Sequence, residues 1–456
     1  MSVVIVGAGP SGTRAAEVLV GAGLRPIVID EAPDNGGRIY QRQPAGFHRS
    51  ARARYGFEAA KAQSLHDIFD RLRASIDFRP RTLAWNFRPG VLDTICDGKA
   101  SAVPFAQTIL CTGAMDRVIP LPGWTLPGVF TLGGSQIALK AQGCAIGARV
   151  VFLGTGPLLY LVAYQYARAG AQVVSVLDTT PFGTKAAQAL GLMRGGATFA
   201  KGLYYIAWLR AHGIPIAEGV TPLAIEGNDQ VEKLSWRDAH GSRHEVAADA
   251  VALGFGLKPE AQLADLAGVP FDFDAVQHNW VPRKDPAGRT SIAGVFLAGD
   301  GSGIQGADLA EAAGARAAFA VLASRGLTVD ARAIARLDAR LAAGSTFRAA
   351  LDRAFPFPAK LAASMADDTI LCRCEAITAG ELRAAANEAL ATLPPSEVNR
   401  AKALTRVGMG RCQGRVCGAA AAEVLAASLS CSVEQVGRLR GQPPVKPIPI
   451  LPAEAA

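Results

Sequence analysis

The sequence contains no uninterrupted apolar run that approaches the ~18 residues a membrane-spanning helix requires, so we expect no membrane span. The apolar stretch at residues 2–6 runs directly into a glycine loop, which leaves no room for a basic leader and a cleavage site. These two absences predict a soluble, cytoplasmic protein. With 456 residues, the chain is long enough for two or three domains, each with its own core.

Cysteine is scarce, with eight residues in the chain. This number is too small for a disulfide framework in a protein of this size, and thiols stay reduced in the cytoplasm. Four of the cysteines are isolated, and we predict that each is a small core residue: Cys96, Cys111, Cys144 and Cys431. The other four form two pairs near the C-terminal end, and this grouping needs a different explanation.

Histidine is rarer still, and its six residues are isolated from one another, at His48, His66, His212, His240, His244 and His278. We predict a surface or packing role for each of them. The sequence therefore offers no obvious acid–base catalyst, and the catalytic residues stay unknown. For the aromatic stretch 202–213 we predict core packing, because aromatic residues at helical spacing are more often core than ligand contacts.

The sequence also lacks a recognisable nucleic-acid-binding module, although its formal net charge is +8. The basic residues are dispersed, apart from a cluster with no acidic residue between its members: Arg38, Arg42, Arg49, Arg52 and Arg54. Three interpretations of this cluster stay open. It is a solvated surface, a contact for a cofactor pyrophosphate or a contact for a partner protein. We expect no nucleic-acid partner.

A nucleotide-binding signature opens the chain. The apolar strand in VVIVGAGPSG ends in three glycines at G-x-G-x-x-G spacing, and a helical pattern follows. A second strand ends at Asp30, 23 residues beyond Gly7, where a carboxylate meets the ribose hydroxyls of a dinucleotide. The pyrophosphate would rest on the helix N-terminus. The predicted cofactor-binding residues here are Gly7, Gly9, Pro10, Ser11, Gly12, Asp30 and Glu31.

Two further segments favour FAD over NAD. The stretch GGRIYQ at 36–41 brings backbone near the inner part of a long cofactor, and a late strand ends in Gly299–Asp300 before an alanine-rich helix. An acidic residue on this second loop is placed to bind a ribityl chain, and the helix N-terminus is placed to face the flavin pyrimidine. The candidates are Gly37, Arg38, Gln41, Thr112, Gly113, Gly299, Asp300, Gln305, Gly306 and Ala307. This pairing resembles flavoproteins with two dinucleotide-binding domains, and the resemblance implies FAD.

A second copy of the motif starts at residue 149, with Gly154, Gly156 and a closing Asp178. Leu159 stands where the third glycine belongs, so its side chain should push helix and strand apart or force the loop onto another path. A working nicotinamide site, a purely structural domain and a site for another adenylate all stay open. Asp178 would favour a free ribose 2′-hydroxyl, which makes NADP the least expected ligand. The domain has no Cys-x-x-Cys pair, so disulfide reductase chemistry is not expected.

These patterns predict an α/β fold with two Rossmann-like domains of the FAD/NAD-linked reductase type and a small helical C-terminal domain. The FAD-binding domain is expected to be discontinuous, with the second nucleotide-binding-like domain inserted into it. In order, the predicted segments are 1–115 and 281–330 for FAD, 116–280 for the insertion, 331–366 for a helical linker, 367–440 for a [2Fe–2S] domain and 441–456 for an extended tail.

The four grouped cysteines are predicted metal ligands. One residue separates Cys372 from Cys374, 37 residues follow, and four residues separate Cys412 from Cys417. Zinc pairs usually have two to four residues between them, whereas a C-x-C pair suits a [2Fe–2S] cluster. Glycines 408, 410, 414 and 418 would let backbone N–H groups reach the sulfurs, and Arg411 and Arg415 would offset the negative charge. Zinc and uncoordinated cysteine remain as alternatives.

The segments CRCE and NRAKALTRVGMGRCQGRVCG closely resemble the bacterioferritin-associated-ferredoxin-like domain of opine oxidase large subunits. The chain is similar too to hydroxyproline dehydrogenase and sarcosine oxidase alpha subunits, over nearly its whole length. Minimal domains of this type have two residues between the last cysteines, and the four found here make Cys417 the departure from the pattern. The resemblance implies a flavoprotein subunit that pairs with a smaller, amine-oxidising FAD subunit, with an FMN between the two subunits.

The resulting hypothesis is the large subunit of a hetero-oligomeric dehydrogenase that oxidises a secondary amine, such as an opine or an imino acid like hydroxyproline. The small-molecule amine would bind mainly to the partner, and this chain would relay electrons between flavins and a [2Fe–2S] cluster to an acceptor. Two alternatives stay open: a self-contained NADH:acceptor reductase of the ferredoxin type, and a non-catalytic assembly or iron-handling partner.

Overall fold

A computed structural model describes residues 2–44, 46–390 and 397–449. Within these residues, no helix is both long and apolar enough to cross a membrane. Of the predicted tail, the structure describes residues 441–449, which form no helix or strand, whereas 450–456 lie outside the described residues.

The N-terminal part of the chain supplies eight strands and three helices. In chain order they are β1 Val3–Val6, α1 Pro10–Gly21, β2 Ile27–Ile29, α2 Ala51–Tyr55, α3 Ala59–Leu72, β3 Asp77–Arg79, β4 Thr82–Arg88, β5 Val91–Cys96, β6 Lys99–Pro104, β7 Gln107–Leu110 and β8 Ala114–Asp116. The middle part continues with β9 Val129–Thr131, α4 Leu132–Ile137, β10 Arg149–Thr155, α5 Pro157–Arg168, β11 Gln172–Asp178, α6 Phe182–Ala186, α7 Ala189–Met193, α8 Ala197–Ala211, β12 Ile216–Glu218, β13 Thr221–Glu226, β14 Lys233–Arg237, β15 Arg243–Ala247, β16 Ala250–Phe255 and β17 Leu257–Pro259.

The remaining elements return to the first sheet and then form the C-terminal part. They are α9 Gln262–Leu266, β18 Phe271–Asp274, β19 Asn279–Pro282, β20 Val295–Leu297, α10 Ala307–Ser324, α11 Ala331–Ala354, α12 Ala359–Ala363, β21 Ile370–Cys372, β22 Ile377–Thr378, α13 Ala379–Ala385, α14 Val398–Thr405, α15 Gly418–Ser428 and α16 Val433–Val436. Short 3-10 or π turns connect several of them, including a π turn at Ala138–Gln142 after α4.

The first sheet is parallel, with strand order β20-β7-β1-β2-β3. Strand β1 is a run of four buried β-branched residues, as expected for a strand covered on both faces. Helices α1 and α10 pack against each other on this sheet, so its core combines residues that are far apart in the chain. The predicted α/β fold class is confirmed, and strand β20, from late in the chain, completes the first sheet. A three-stranded antiparallel sheet of β4, β5 and β6 lies beside it.

The second sheet is also parallel, with order β12-β11-β10-β16-β9. Strand β10 lies at its centre, and helix α5 follows directly, which reproduces the strand–loop–helix order of the first motif. Two strands, β8 and β17, pair antiparallel where the chain enters and leaves this unit. An antiparallel sheet of β13, β14 and β15 completes it.

The C-terminal part is a small helical unit with one short hairpin, β21–β22. A capping box starts α13, because the Thr378 side chain accepts from the Glu381 N–H and the Glu381 carboxylate accepts from the Thr378 N–H. Helix α15 is apolar and almost entirely buried, and its core is continuous with that of the second unit. Trp124 fixes this contact by donating its indole N–H to the Ile370 carbonyl at 2.6 Å.

Two expectations about single side chains are corrected by the packing. The aromatic stretch on α8 is only partly core: Tyr205 is buried, whereas Leu203 and Tyr204 are exposed. Cys144 is exposed rather than buried, because it lies in the turn that follows the π segment, outside any helix or strand. Cys111 is buried as expected, and burial raises the pKa of its thiol to about 12.

Candidate flavin and thiolate site

The first glycine loop is shaped by close backbone contacts. Gly7 has φ +105°, and a Cβ on it would lie 2.3 Å from the Cys111 carbonyl oxygen. A Cβ on Gly12 would lie 1.8 Å from the Gly7 carbonyl oxygen, so only glycine permits this approach of helix to strand. Gly9 is different, since a Cβ there would make only ordinary contact with Gly37 at 3.5 Å. The loop therefore leaves its outer side open at Gly9, where a pyrophosphate would lie.

The segment 36–41 lies against this loop, as an inner cofactor contact requires. The Gly36 N–H donates to the Ala8 carbonyl at 3.0 Å, and a Cβ on Gly37 would lie 3.0 Å from the Gly9 Cα. Arg38 pairs with Glu31, whose carboxylate also contacts Lys446. Glu31 is therefore engaged by protein cations rather than free for a ribose.

Several buried polar atoms around this segment have no partner among the described residues. They are Asn35 Nδ2, Gln41 Oε1, Gln43 Nε2 and Arg54 Nε. Buried polar groups are normally hydrogen-bonded, because an unmade bond costs about 1–3 kcal/mol. A ligand with a polar ring edge would supply the missing partners, so the residues present fit a flavin.

The two predicted acidic residues are both held by backbone N–H groups. The Asp30 carboxylate accepts from Ala8 and Ala32 at 2.6 and 2.7 Å, while Asp300 Oδ1 accepts from Gln305 and Gly306 at 2.8 and 2.9 Å. Burial raises the pKa of both carboxyl groups, and the backbone N–H bonds oppose that rise. Asp300 Oδ2 has no hydrogen-bond partner among the described residues and is available to a hydroxyl.

The late loop meets the early one at the start of α1. A Cβ on Gly299 would lie 2.9 Å from the Ser11 Cβ, and a Cβ on Gly301 would lie 2.5 Å from the Thr112 Oγ1. Helix α10 approaches equally closely, since a Cβ on Gly314 would lie 1.9 Å from the Ser11 carbonyl oxygen. Three loops far apart in sequence therefore converge with the N-termini of α1 and α10, including Pro10 at the start of α1 and Ala307 at the start of α10.

The second glycine motif is built differently. Leu159 is completely buried in the core between α5 and the sheet, so it fills the space that the third glycine would leave open. Asp178 is also completely buried: it accepts from the Tyr160 hydroxyl at 2.5 Å, Lys185 Nζ at 2.8 Å and the Thr180 N–H at 2.8 Å. The expectation that Asp178 faces a ribose hydroxyl is therefore wrong, because protein donors already surround this carboxylate.

The chain's own linker covers the rest of this motif. Helix α11 and the residues after it place Arg348, Leu351 and Phe355 opposite Gly156, and only a cavity of about 70 Å³ lies between them. The open side of a Rossmann-type loop is where a dinucleotide would enter. In this chain the side chains of α11 occupy the approach.

The four grouped thiols lie together at the edge of the C-terminal unit. Hydrogen bonds link their sulfurs in the order Cys374, Cys412, Cys417 and Cys372. The Cys417 thiol, joined by the Gly408, Glu375 and Cys374 N–H groups, lowers the pKa of Cys372 to about 6. Cys417 is 1% exposed, so the wider spacing of the last pair does not displace it from the group.

Two of the four predicted glycines bring N–H groups to sulfur. The Gly408 N–H reaches Cys372, and the N–H groups of Val416 and Gly414 reach Cys412. The Cys417 thiol, together with these N–H groups, lowers the pKa of Cys412. Gly410 instead permits close packing, since a Cβ there would lie 2.3 Å from the Cys374 Cβ. Such N–H bonds to sulfur stabilise thiolates and raise the potential of a cluster.

The charge balance around the thiols also fits a cluster. Lys258 and the buried Lys402 interact electrostatically with Cys417, and Lys258 interacts first of all with the Glu260 carboxylate. Lys402 has no ion pair with a carboxylate among the described residues, and burying an ammonium without an anion is costly, so an ionised sulfur beside Lys402 would offset its charge. No three His, Cys, Asp or Glu side chains within the described ranges are placed to hold a metal ion. A two-iron cluster distributes its four thiolates over two metals.

Arg415 was predicted to offset the negative charge of the sulfurs. In the structure it also connects the thiol loop to the flavin loop. Its Nη1 lies 3.5 Å from the Glu260 carboxylate, and both side chains are mostly buried. The Glu260 N–H donates to Gly113 at 2.9 Å, and its carbonyl accepts from the Thr112 hydroxyl at 2.5 Å. The Cys412–Cys417 loop is thus connected to a predicted flavin loop through one residue. Arg411, by contrast, is exposed.

Comparisons with known proteins agree with this construction. The family model described as pyridine nucleotide-disulphide oxidoreductase matches residues 1–317. The chain belongs to this family. A second model, the BFD-like [2Fe-2S] binding domain, matches residues 370–427 and includes all four grouped cysteines.

Several relatives of this oxidoreductase share nearly its whole length. An opine oxidase subunit of Agrobacterium tumefaciens (strain Ach5) is 36% identical, with 97% of this chain and 89% of the relative covered. The HcnB subunit of hydrogen cyanide synthase from Pseudomonas protegens is 32% identical, with 98% of this chain and 96% of the relative covered. A solved structure, L-proline dehydrogenase from P. horikoshii, has a TM-score of 0.72 at 18% identity, covering 98% of this chain and 78% of that one. The chain is an oxidoreductase with a flavin-type and a [2Fe–2S]-type domain.

Sequence reasoning missed the residues that connect or neutralise the site. Lys258 and Glu260 lie on or just after β17, about 150 residues before the last cysteines, with no motif to single them out. Lys185 and Tyr160 belong to ordinary helical segments. The order of acidic and basic residues along the sequence would not have revealed these four residues, because each of them gains its role only when strands that are distant in the chain pack together.

Proposed function

We propose that this chain is the large subunit of a hetero-oligomeric, FAD- and [2Fe–2S]-dependent dehydrogenase that oxidises a secondary amine such as an opine or an imino acid. The observation that carries the proposal is the connection through Glu260, which joins a flavin loop at Thr112–Gly113 to the thiol loop at Arg415. FAD and the cluster, when bound, supply hydride and single-electron exchange, respectively. Glu260 holds the two loops in one fixed arrangement.

The substrate class rests on the relatives. One relative is named as a subunit of opine oxidase and another as the HcnB subunit of hydrogen cyanide synthase, and both names support a chain that works in a complex. We assign amine binding and oxidation to a smaller flavin subunit, with an FMN at the interface between the subunits. In this arrangement the described chain orients its cofactors and excludes water from them, and it supplies no acid–base group of its own.

The residue roles follow from the geometry of the first unit. Gly7, Gly9, Gly12 and the start of α1 would bind the FAD pyrophosphate, with Asp30 toward the ribose. Asp300 Oδ2 and the N–H groups at the start of α10 would bind the ribityl and pyrimidine portions. Cys372, Cys374, Cys412 and Cys417 would ligate the two irons.

A self-contained NADH:acceptor reductase is the second candidate, favoured by the family model alone. It requires the second glycine motif to take a nicotinamide dinucleotide. Leu159, the fully partnered Asp178 and the covering helix α11 all oppose this.

The test uses the full chain, tagged in its native cells and isolated together with whatever subunits accompany it. The isolated complex should contain a smaller flavin-bearing chain and reduce an artificial dye with an opine, proline or hydroxyproline as donor. Its spectrum should show flavin bands and absorption beyond ~500 nm, unaltered by anaerobic NADH. Rapid bleaching by NADH without any amine donor would contradict the proposal and establish the reductase instead.

A further inference from the structure

Exposed large apolar side chains occur on α6, α7 and the middle of α8. They are Phe182, Leu190, Met193, Leu203 and Tyr204, joined by Phe57 of the first unit, which contacts Tyr204, and we refer to this set as the α6–α8 surface. Leu190 is 83% exposed, Phe182 68% and Met193 62%. Large apolar side chains at such exposure within one short stretch of chain are uncommon on a protein that stays alone in water.

Helix α8 has the composition of a helix that is covered on all sides. Its fifteen residues, ATFAKGLYYIAWLRA, include two charged residues, and apolar side chains occur all round it. A helix with this pattern is normally buried. Among the residues of α8, however, only Tyr205 and Leu209 are buried in this chain. Ile206 and Trp208 pack partly against the core of the second unit, whereas Leu203 and Tyr204 are exposed and left for another molecule to cover.

Phe57 ties the surface to the first unit. Its ring lies 5.1 Å from that of Tyr204 in an edge-to-face contact, and the neighbouring Glu58 pairs with Lys201 of α8. The surface is therefore formed by two parts of the chain that support each other. It follows closely on the 36–41 segment in sequence and fold, so an occupant of this surface would lie near the flavin side of the molecule.

The surroundings of the surface are basic. No acidic residue occurs from 35 to 57 or from 179 to 217. Five arginines in these stretches have no acidic partner among the described residues: Arg49, Arg52, Arg54, Arg194 and Arg210. A binding partner that presents an apolar patch edged with carboxylates would complement both the exposed apolar side chains and these arginines.

We propose that the α6–α8 surface docks the smaller flavin subunit, through an apolar face on that subunit edged with carboxylates. This inference rests on the proposed function and adds the position of the interface. A second copy of this chain fits less well, because a symmetric contact would bring the two basic edges together.

The experiment uses the isolated complex and the smaller subunit identified in it. Leu190→Asp and Tyr204→Asp, made in the full chain, should each weaken binding of that subunit by about tenfold or more, because they place an unpaired charge in the apolar centre. The flavin and cluster absorption of the variant chain should be unchanged, which separates lost docking from lost folding. Leu327→Asp is the matched control, at a half-exposed leucine after α10, and should leave binding unchanged.

The basic edge is tested separately. Arg52→Glu combined with Arg194→Glu should slow association and remove its dependence on ionic strength, since these charges steer the encounter. If both aspartate variants bind the smaller subunit with full affinity, the proposal that it docks on the α6–α8 surface is wrong, whereas the proposed function as a subunit of a heteromeric dehydrogenase still holds. Isolation of the chain with no flavin subunit and no amine-dependent dye reduction would overturn the proposed function and the docking together.

Two other occupants are measurable in the same preparation. Dimerisation of the purified chain that Leu190→Asp abolishes, seen by sedimentation, would assign the surface to a second copy and overturn the proposal. Flotation of the chain with phosphatidylglycerol–phosphatidylethanolamine vesicles, lost in Tyr204→Asp, would assign it to an anionic membrane and overturn it equally.

Discussion

The two parallel sheets of this chain carry the same strand–loop–helix motif with opposite outcomes. In the first, glycines keep the loop open at Gly9, and the Asp30 and Asp300 carboxylates are held by backbone N–H groups. In the second, Leu159 fills the glycine space and Asp178 is enclosed by Tyr160 and Lys185. The comparison shows one motif whose acidic residues are held by backbone N–H groups and a second whose acidic residue is also partnered by side chains of the same chain. We therefore expect the second loop to be a structural element rather than a nucleotide site.

The largest expected effect is on the first loop. Gly12→Ala should abolish FAD binding, because its Cβ would lie 1.8 Å from the Gly7 carbonyl oxygen. Gly9→Ala is the milder companion: its Cβ makes ordinary contact with Gly37 at 3.5 Å, so the chain should fold. The added methyl group would lie in the turn that the pyrophosphate approaches, so flavin absorbance should still fall. Full flavin content in Gly9→Ala would show that the cofactor is not held at this loop.

The next largest effect is expected on stability, from removing the cation that pairs with the Asp178 carboxylate at the second loop. Lys185→Met should lower the free energy of unfolding by about 3–5 kcal/mol, because it leaves the buried Asp178 without its cation. Lys233→Met is the control: its ion pairs are about 40% exposed and screened by solvent, so the loss should be much smaller than that of Lys185→Met. Equal losses in chemical denaturation would mean that Asp178 is not a structural carboxylate.

Leu159→Ala should cost about 2–5 kcal/mol of unfolding free energy through the cavity it leaves, with FAD content unchanged. Stability and flavin absorbance are measured on the same sample. A parallel loss of flavin would mean that the two loops are coupled, and the contrast between them would then be weaker than the structure indicates.

A smaller effect is expected for the pH dependence of the buried Lys140, whose one hydrogen bond within the described part of the chain is to the Ile39 carbonyl at 3.1 Å. Burial lowers its pKa to about 7, below that of an unfolded lysine, so the unfolded chain binds more protons between the two values. The thermal midpoint should therefore rise by a few degrees as the pH increases from about 7 toward 10.

Lys140→Met should remove that rise and increase the midpoint most at neutral and lower pH, where the wild-type lysine must be charged in an apolar site. Scanning calorimetry of both proteins across this pH range decides the matter. An identical slope in the two proteins would show that Lys140 titrates normally.

Much of the first unit was predictable. Glycine spacing, the apolar strand and the acidic residue at Asp30 depend on local geometry, because Gly12 is required by a contact within its own turn and Gly7 by a contact with the end of the adjacent strand. The same holds for the capping box at Thr378 and for the two cysteine pairs. The exposure of Tyr204 was not predictable. A helix that is apolar on all sides has the same sequence pattern whether it is buried by residues of its own chain or by another protein.

The sequence by itself determined the α/β class, the position of the flavin-type loops and the grouping of four thiols, because motif spacing along the chain sets local backbone geometry. Only the tertiary structure decided that Asp178 is enclosed and that Glu260 connects Arg415 to Thr112–Gly113. Those outcomes depend on side chains brought together by strands far apart in the chain. Local sequence patterns do not predict these long-range contacts, because the free energy of a buried charge is set by the groups that surround it in the folded state.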